Sequence, residues 1–209
     1  MAGITIETQY WDQGYRVIVG CDEAGRGPLA GPLTAAAVVL PPYWNRPEWH
    51  DSKQLSDRQR RALVEDIHTN AFAYAVVFVD VETVDRLNVY HAARYAMLQA
   101  IASLPIAAEI LLTDAMPLPS ATIPVEAIIH GDALSQSIAA ASILAKVARD
   151  DYMLEASRRY PEYGFERHKG YGTRMHLEAL RRYGPCPLHR RSFAPVKAAM
   201  QMQWQELNE

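Results

Sequence analysis

Apolar residues along this chain fall into short dense runs that alternate with stripes at helical spacing, the pattern of a sheet covered by helices. The first dense run, Val17-Ile-Val-Gly-Cys21, is rich in β-branched side chains and stops abruptly at Asp22-Glu23. It predicts a buried strand whose last two residues carry carboxylates to opposite sides. Leu33 to Leu40 predicts a second strand, hairpin-paired with the first through the connection that holds Gly25, Gly27 and Gly31. Phe72 to Val79 is almost continuously apolar and predicts a third strand, buried on both faces. Glu109 to Asp114 repeats the opening pattern, an apolar strand that ends in an acid, and Ile123 to Ile129 makes a fifth strand before His130-Gly131-Asp132. Near the N-terminus, Ile4 and Ile6 alternate with polar residues and predict a short edge strand.

Between the strands the period changes. Ser56 with Gln59 three positions on forms a capping box, and Leu63, Val64 and Ile67 supply the inward face of the helix that follows. A second helix runs from Asn88 to Ile101 on Val89, Ala93, Ala96, Met97 and Ala100. A long third helix, about Ser135 to Ala156, carries a small-residue stripe of Ile138, Ala141, Ala145 and Ala148 suited to close packing on the sheet.

Candidate chemistry collects where the strands end. Asp22 and Glu23, Asp114 and Asp132 stand at three strand exits, the positions at which α/β sheets gather functional groups. Each acid has ordinary work open to it: a turn carboxylate for Asp22, Glu23 and Asp114, a helix-start residue for Asp132. Their recurrence is what points to a shared cation site, and an all-oxygen set suits Mg2+ or Mn2+, whereas zinc favours His and Cys. Gly25-Arg26-Gly27, directly after the first acids, can bring amides and a guanidinium against a phosphate or a sugar.

Composition narrows the class. With 209 residues and 49% hydrophobic content, the chain can bury one sizeable core with a terminal extension. It lacks an apolar run of roughly 18 residues and a basic-then-apolar leader, so no membrane association and a cytoplasmic location are expected. Cys21 and Cys186 are too few and too far apart for a disulfide framework. The formal charge of −3 conceals polarity: residues 158 to 197 hold ten Lys or Arg against three Glu, a local +7 that leaves −10 on the rest. Tyr160, Tyr163, Phe165, Tyr171, Tyr183 and Phe193 are interleaved with those cations. That mixture predicts a nucleic-acid surface, although a solvated basic face is the plainer account of a charge run.

Six segments together resemble bacterial ribonuclease HII, the type 2 ribonuclease H: Asp-Glu-Ala-Gly-Arg-Gly at 22–27, Asp-Ser-Lys-Gln-Leu-Ser at 51–56, Gly-Asp-Ala at 131–133, the stretch from Ser137 to Asp150, His-Lys-Gly-Tyr-Gly-Thr at 168–173 and His-Arg-Arg-Ser-Phe at 189–193. The resemblance implies an α/β, RNase H-like fold with a mixed five-stranded sheet flanked by helices and a helical C-terminal extension. It divides the chain into a catalytic core at 1–156 and a basic helical segment at 157–209 that packs on the core and completes the substrate groove. The implied activity is endonucleolytic cleavage of RNA in RNA/DNA hybrids and 5′ of ribonucleotides embedded in duplex DNA, leaving 3′-hydroxyl and 5′-phosphate ends, by a monomer using two divalent ions, Mg2+ or Mn2+.

By position, Asp22, Glu23, Asp114 and Asp132 match the family's metal-binding carboxylates. Gly25, Arg26 and Gly27 match its junction-sensing loop, and Tyr171 matches the tyrosine that stacks on the sugar at the RNA-to-DNA step, though an aromatic in a glycine turn can also be structural. Lys53, Ser142, Lys146, Lys169 and Arg190 complete the implied substrate contacts, with Arg149 and Arg191 as further phosphate-binding candidates. Two departures stand out: Ala115-Met116 follows Asp114 where relatives usually carry a glycine, and His130 replaces a usual lysine.

Overall fold

The computed structural model describes residues 3–46 and 56–206, excepting the side chains of 203–206. Among these residues the chain forms two compact units. The first comprises the residues up to Ala24, Thr34–Phe78 and Ala93–Ala148; the second comprises Gly25–Leu33, Val79–Ala92 and the residues from Arg149 onward. The division therefore differs from the expected 156/157 boundary, since the second unit also takes in the glycine loop and a segment near residue 85.

The first unit is built on a five-stranded mixed sheet. In chain order its strands are β1 (Ile18–Ala24), β2 (Leu33–Val39), β3 (Ala73–Val79), β4 (Ile110–Asp114) and β5 (Val125–Ile128), arranged β3-β2-β1-β4-β5. The glycine connection joins β1 and β2 as an antiparallel pair, whereas β4 lies parallel to β1 and β5 parallel to β4. β1 occupies the middle of the sheet, so its apolar half, Ile18 to Cys21, is buried.

Two sequence expectations are corrected. Ile4 and Ile6 belong to no edge strand: Thr5–Asp12 is a helix, α1, with Trp11 buried against Ile18, Ile110 and Ile138. The alternation suits period two, but helical spacing from Ile4 to Trp11 fits the same letters. β3 is not buried on both faces either. It is an edge strand, with Phe72 before it 64% exposed and Tyr74 and Phe78 also exposed.

Helix starts follow local chemistry. Asp57–Asn70 forms α2, and its Ser56 hydroxyl accepts from the Gln59 amide while the Gln59 side chain accepts from the Ser56 amide, the predicted box. Val81–Leu87 forms α3, a helix missing from the sequence reading, capped by Asp80; Val89–Ala102 forms α4. Gly131–Leu134 is the single turn α5, and Gln136–Arg159 is α6, which extends three residues beyond the expected Ala156. The small-residue stripe of α6 does what its composition predicts. Ala140, Ala141, Ile143, Leu144 and Ala145 form a core cluster with Ala36, Val38, Leu40 and Ile67. Gly20 lets β1 approach the start of the helix: a Cβ there would stand 2.1 Å from the Ser137 carbonyl carbon. No helix among the described residues is long and apolar enough to cross a membrane.

The second unit is mostly helical: a 3-10 turn Pro161–Tyr163, then α7 (Phe165–His168), α8 (Arg174–Tyr183) and α9 (Ala194–Glu206). One core cluster gathers Ala30, Met153, Tyr163, Phe165, Ala179 and Cys186; another gathers Leu29, Leu180, Val196 and Ala199. Leu29 and Ala30 thus anchor the glycine connection in the core of this unit.

Candidate active site

Parallel pairing decides where the first acids meet. Cys21 stands opposite Thr113 across β1 and β4, so Asp22 and Asp114 are the next residues on neighbouring strands and leave the sheet on the same side. Asp22 is 5% exposed. Burial holds its carboxyl well above the usual carboxylate range, and the charges of Glu23 and Asp114 raise it further. The Ser142 hydroxyl and the Glu23 amide, the latter 2.7 Å from Asp22 Oδ1, donate to it and oppose that shift. A carboxylate buried among carboxylates favours its neutral form until positive charge arrives.

Asp132 is reached by another route. β5 ends at Ile128, His130 adopts a left-handed conformation with φ 58°, and the Gly131 amide donates to Asp114 Oδ1 at 2.8 Å. Asp132 follows, buried in the first turn of α5. The structure therefore links Asp22, Glu23 and Asp114 electrostatically and ties the Asp132 turn to Asp114 through one peptide. Among the described residues, no three His, Cys, Asp or Glu side chains stand in a finished metal-holding arrangement. The donor set is all oxygen and anionic, which fits a hard divalent cation and poorly fits zinc.

Ala115, where the resemblance leads one to expect a glycine, is strained in conformation: its φ is 51°, in the left-handed region. Its amide nevertheless donates to the Ile128 carbonyl at 2.9 Å, and the Thr113 hydroxyl donates to the Met116 carbonyl at 2.6 Å, so the turn is held from both ends. A left-handed alanine costs about 1 kcal/mol, part of which a glycine would return as greater freedom of the unfolded chain. Ala115→Gly is expected to leave the thermal midpoint unchanged or raise it by a degree or two, checked by calorimetry; a fall of several degrees would contradict the strain.

The second unit holds the glycine loop through two buried arginines. Arg190, expected at the substrate, is wholly buried and donates from Nε and Nη2 to the Gly31 carbonyl, from Nη1 to the Arg26 carbonyl and from Nη2 to the Gly25 carbonyl, at 2.6–3.1 Å. Arg149, read as a phosphate candidate, is 1% exposed and donates to the carbonyls of Pro32, Ala30 and Lys169, each at 3.0 Å. Neither guanidinium is available to a phosphate. Burial and the neighbouring Arg149 charge lower Arg190 to about 9, still cationic at neutral pH. The two side chains are clamps that turn the loop's carbonyls inward. Gly25 makes room for one of them, since a Cβ there would lie 2.2 Å from Arg149 Nε and its φ is +96°.

With the carbonyls turned inward, Arg26 and Gly27 remain exposed. The Leu29 amide donates to the Gly170 carbonyl at 2.8 Å, which joins the loop to the 168–173 segment. The Tyr171 ring, 46% exposed, then lies beside Gly27: a Cβ built on that glycine would be 3.5 Å from Tyr171 Cε1. Lys169 donates from Nζ to the Glu166 carbonyl, and Lys146 is half-buried on α6. The hydroxyl of Ser142, expected at the substrate, donates to Asp22. Lys53 lies outside the described residues. Asp85, absent from the sequence reading, accepts from the amides of Arg191 and Ser192 at 2.7 and 3.0 Å and so secures the chain after Arg190. Nothing in its local sequence separates it from other helix acids.

A family model described as Ribonuclease HII matches residues 19–196. Ribonuclease HII of Desulfitobacterium hafniense is 53% identical over 191 residues, which are 91% of this chain and 74% of that one. Among solved structures, the ribonuclease H2 from Pyrococcus horikoshii OT3 superposes with a TM-score of 0.76 at 26% identity, covering 89% of this chain and 98% of that one. Bst-RNase HIII in complex with Mn2+ shares the fold at a TM-score of 0.68 and 22% identity, over 92% of this chain and 71% of that one. The acids at the sheet's strand ends, the clamped glycine loop and a match across most of the length all converge: this chain belongs to the ribonuclease HII family and is a ribonuclease H, an endonucleolytic hydrolase.

Proposed function

We propose that this ribonuclease H cuts RNA in RNA/DNA hybrids and cuts 5′ of single ribonucleotides embedded in duplex DNA, leaving 3′-hydroxyl and 5′-phosphate ends, with two divalent ions, Mg2+ or Mn2+, held by Asp22, Glu23, Asp114 and Asp132. The observation that carries this reading is Asp22 itself, buried and driven toward its neutral form by burial, Glu23 and Asp114. A multivalent cation is the partner that returns it to the charged form, and the Mn2+ complex of Bst-RNase HIII supports a metal on this fold. Bound divalent ions supply positive charge to the phosphoryl oxygens and acidify water. In the reaction a water oxygen bonds to phosphorus, the P–O3′ bond breaks, and O3′ leaves with a proton.

The protein's own groups orient and select. The Ser142 hydroxyl and Glu23 amide direct the lone pairs of Asp22, and the Gly131 amide does so for Asp114 Oδ1. The 2′-hydroxyl is the feature that separates RNA from DNA. With its carbonyls held inward, the Gly25-Arg26-Gly27 loop can approach that hydroxyl through exposed backbone. The Tyr171 ring offers a flat face to a deoxyribose, where an added hydroxyl would crowd it. Lys146, Lys169 and Arg191 add salt-dependent attraction for phosphates, and they carry little base identity.

The test is one duplex bearing a single ribonucleotide. Cleavage is expected with Mg2+ or Mn2+, none in excess chelator, and full recovery on re-addition of the ion. Cleavage that persists in chelator would overturn the metal reading.

A further inference from the structure

Beside the 168–173 segment lies a buried group that takes no part in the acid cluster: His168, His176, His189 and Cys186. Their contacts fix every ring proton. The Cys186 amide donates to His189 Nδ1 at 3.0 Å, so that nitrogen carries the lone pair and the neutral ring carries its hydrogen on Nε2. At the other end, His176 Nδ1 lies 2.9 Å from the Tyr171 carbonyl. A carbonyl only accepts, so His176 carries its hydrogen on Nδ1 and its lone pair on Nε2. The two Nε2 atoms are 3.0 Å apart. Assigned independently from opposite ends, the tautomers agree: one hydrogen lies between the rings, donated by His189. His168, stacked on His176 with centroids 4.6 Å apart, is fixed likewise, accepting from the Gly170 amide at Nδ1 and donating from Nε2 to the Tyr163 carbonyl.

We infer that His189 and His176 form a relay of fixed tautomers that sets the backbone of Tyr171, which makes both of them positioning residues for the sugar-sensing step. The inference rests on the reading of Tyr171 given above. The Tyr171 carbonyl also accepts from the Thr173 amide at 2.8 Å, and its amide donates to the His168 carbonyl at 2.9 Å. The peptide is thereby held by histidines on both sides while the ring stays exposed. Backbone placement to within an ångström is what orients a recognition group.

The relay needs both rings neutral: a proton added at His176 Nε2 would face the His189 N–H across 3.0 Å, and one added at His189 Nδ1 would face the Cys186 amide N–H across 3.0 Å. Burial pushes His176 and His189 each down to about 4, and His168 down as well. The groups that face them are the Tyr163 ring, packed against both, and the Cys186 thiol, 3.2 Å from His189 Nδ1 and raised by burial to about 11. Glu162 acts on Cys186, and Glu166 and Lys169 act on His168. Because the folded values lie below the ordinary 6.5, the stabilisation is complete above about pH 6.5 and is lost as pH falls toward 4.

The experiment has two parts. Nitrogen-15 NMR of the imidazoles at neutral pH is expected to show His176 as the Nδ1–H tautomer and His189 and His168 as Nε2–H; an Nε2–H tautomer at His176 overturns the relay without any variant having to fold. The kinetic readout is the ratio of kcat/KM on a duplex with one ribonucleotide to kcat/KM on a continuous hybrid. Tyr171→Ala, His176→Ala and His189→Ala are each expected to lower this ratio about tenfold. The Tyr171→Ala/His176→Ala double variant is expected to lower it no further. His176→Asn, which can still present an amide donor to the Tyr171 carbonyl, is expected to restore most of it. If Tyr171→Ala lowers the ratio and the histidine variants do not, the relay is mere packing and the inference is wrong. If Tyr171→Ala leaves the ratio unchanged, the sugar-sensing reading is what fails, and the positioning role falls with it whatever the tautomers.

Discussion

Asp22→Asn is expected to lower kcat/KM on a ribonucleotide-bearing duplex by at least about a thousandfold while leaving the protein folded and slightly more stable. The two outcomes come from one cause. Asp22 is buried, and the charges of Glu23 and Asp114 press it toward neutrality, so an isosteric neutral amide relieves repulsion in the metal-free protein. One unit of pKa shift corresponds to about 1.4 kcal/mol, and relief on the order of 1 kcal/mol would raise the midpoint of a chain this size by about 2–4 °C. The Asn Oδ1 can still accept from the Glu23 amide, so local geometry survives. What it cannot offer is an anionic oxygen to a divalent ion. Steady-state cleavage, thermal denaturation and Mn2+ binding on the same preparation read all three effects. A variant that keeps activity would remove Asp22 from the chemistry; one that loses both activity and stability would make it a structural acid.

Arg190→Met carries the second large effect, and here the loss is of fold before function. The side chain makes four hydrogen bonds to the carbonyls of Gly25, Arg26 and Gly31. Methionine fills a similar volume and leaves those acceptors without their donors. Each stranded buried carbonyl costs about 1–3 kcal/mol, partly recovered as the loop relaxes, and removing one partner of a buried charged network typically costs about 3–5 kcal/mol. A midpoint lower by about 10 °C is expected by scanning calorimetry, with the glycine loop becoming a protease-sensitive site. Arg190→Lys should recover little, since an ammonium cannot reproduce the planar fork. The same variants discriminate between clamp and phosphate ligand. A phosphate contact would reduce the slope of log affinity against log salt by about one, with the fold intact. A clamp leaves that slope alone and appears in the melting curve.

Several elements were legible in the letters because their causes are local. The box at Ser56 and Gln59 formed as read, because the four residues that satisfy those amides are adjacent in the chain. The strand ending at Asp114 and the small-residue face of α6 were likewise visible as runs and stripes. Errors arose where a pattern had two solutions. Ile4 and Ile6 suit either period, and only Trp11 seated against Ile18 and Ile138 makes the segment a helix. Phe72, Tyr74 and Phe78 look like core residues, but β3 lies at the edge of the sheet.

From its letters alone, this polypeptide declared a sheet-and-helix architecture, an acidic residue at the end of each of three strands, and the glycine-bearing segment after the first of them, since strand, turn and cap preferences act over a few neighbours. Which cations serve structure was settled by folding alone. An arginine in a basic stretch is written the same whether its guanidinium meets water or three buried carbonyls, and nothing short of long-range packing turned Arg149 and Arg190 inward or aligned His189, His176 and Tyr171 along one line of hydrogen bonds. Burial supplies the difference, because a polar group removed from water must find its partner wherever the fold brings one.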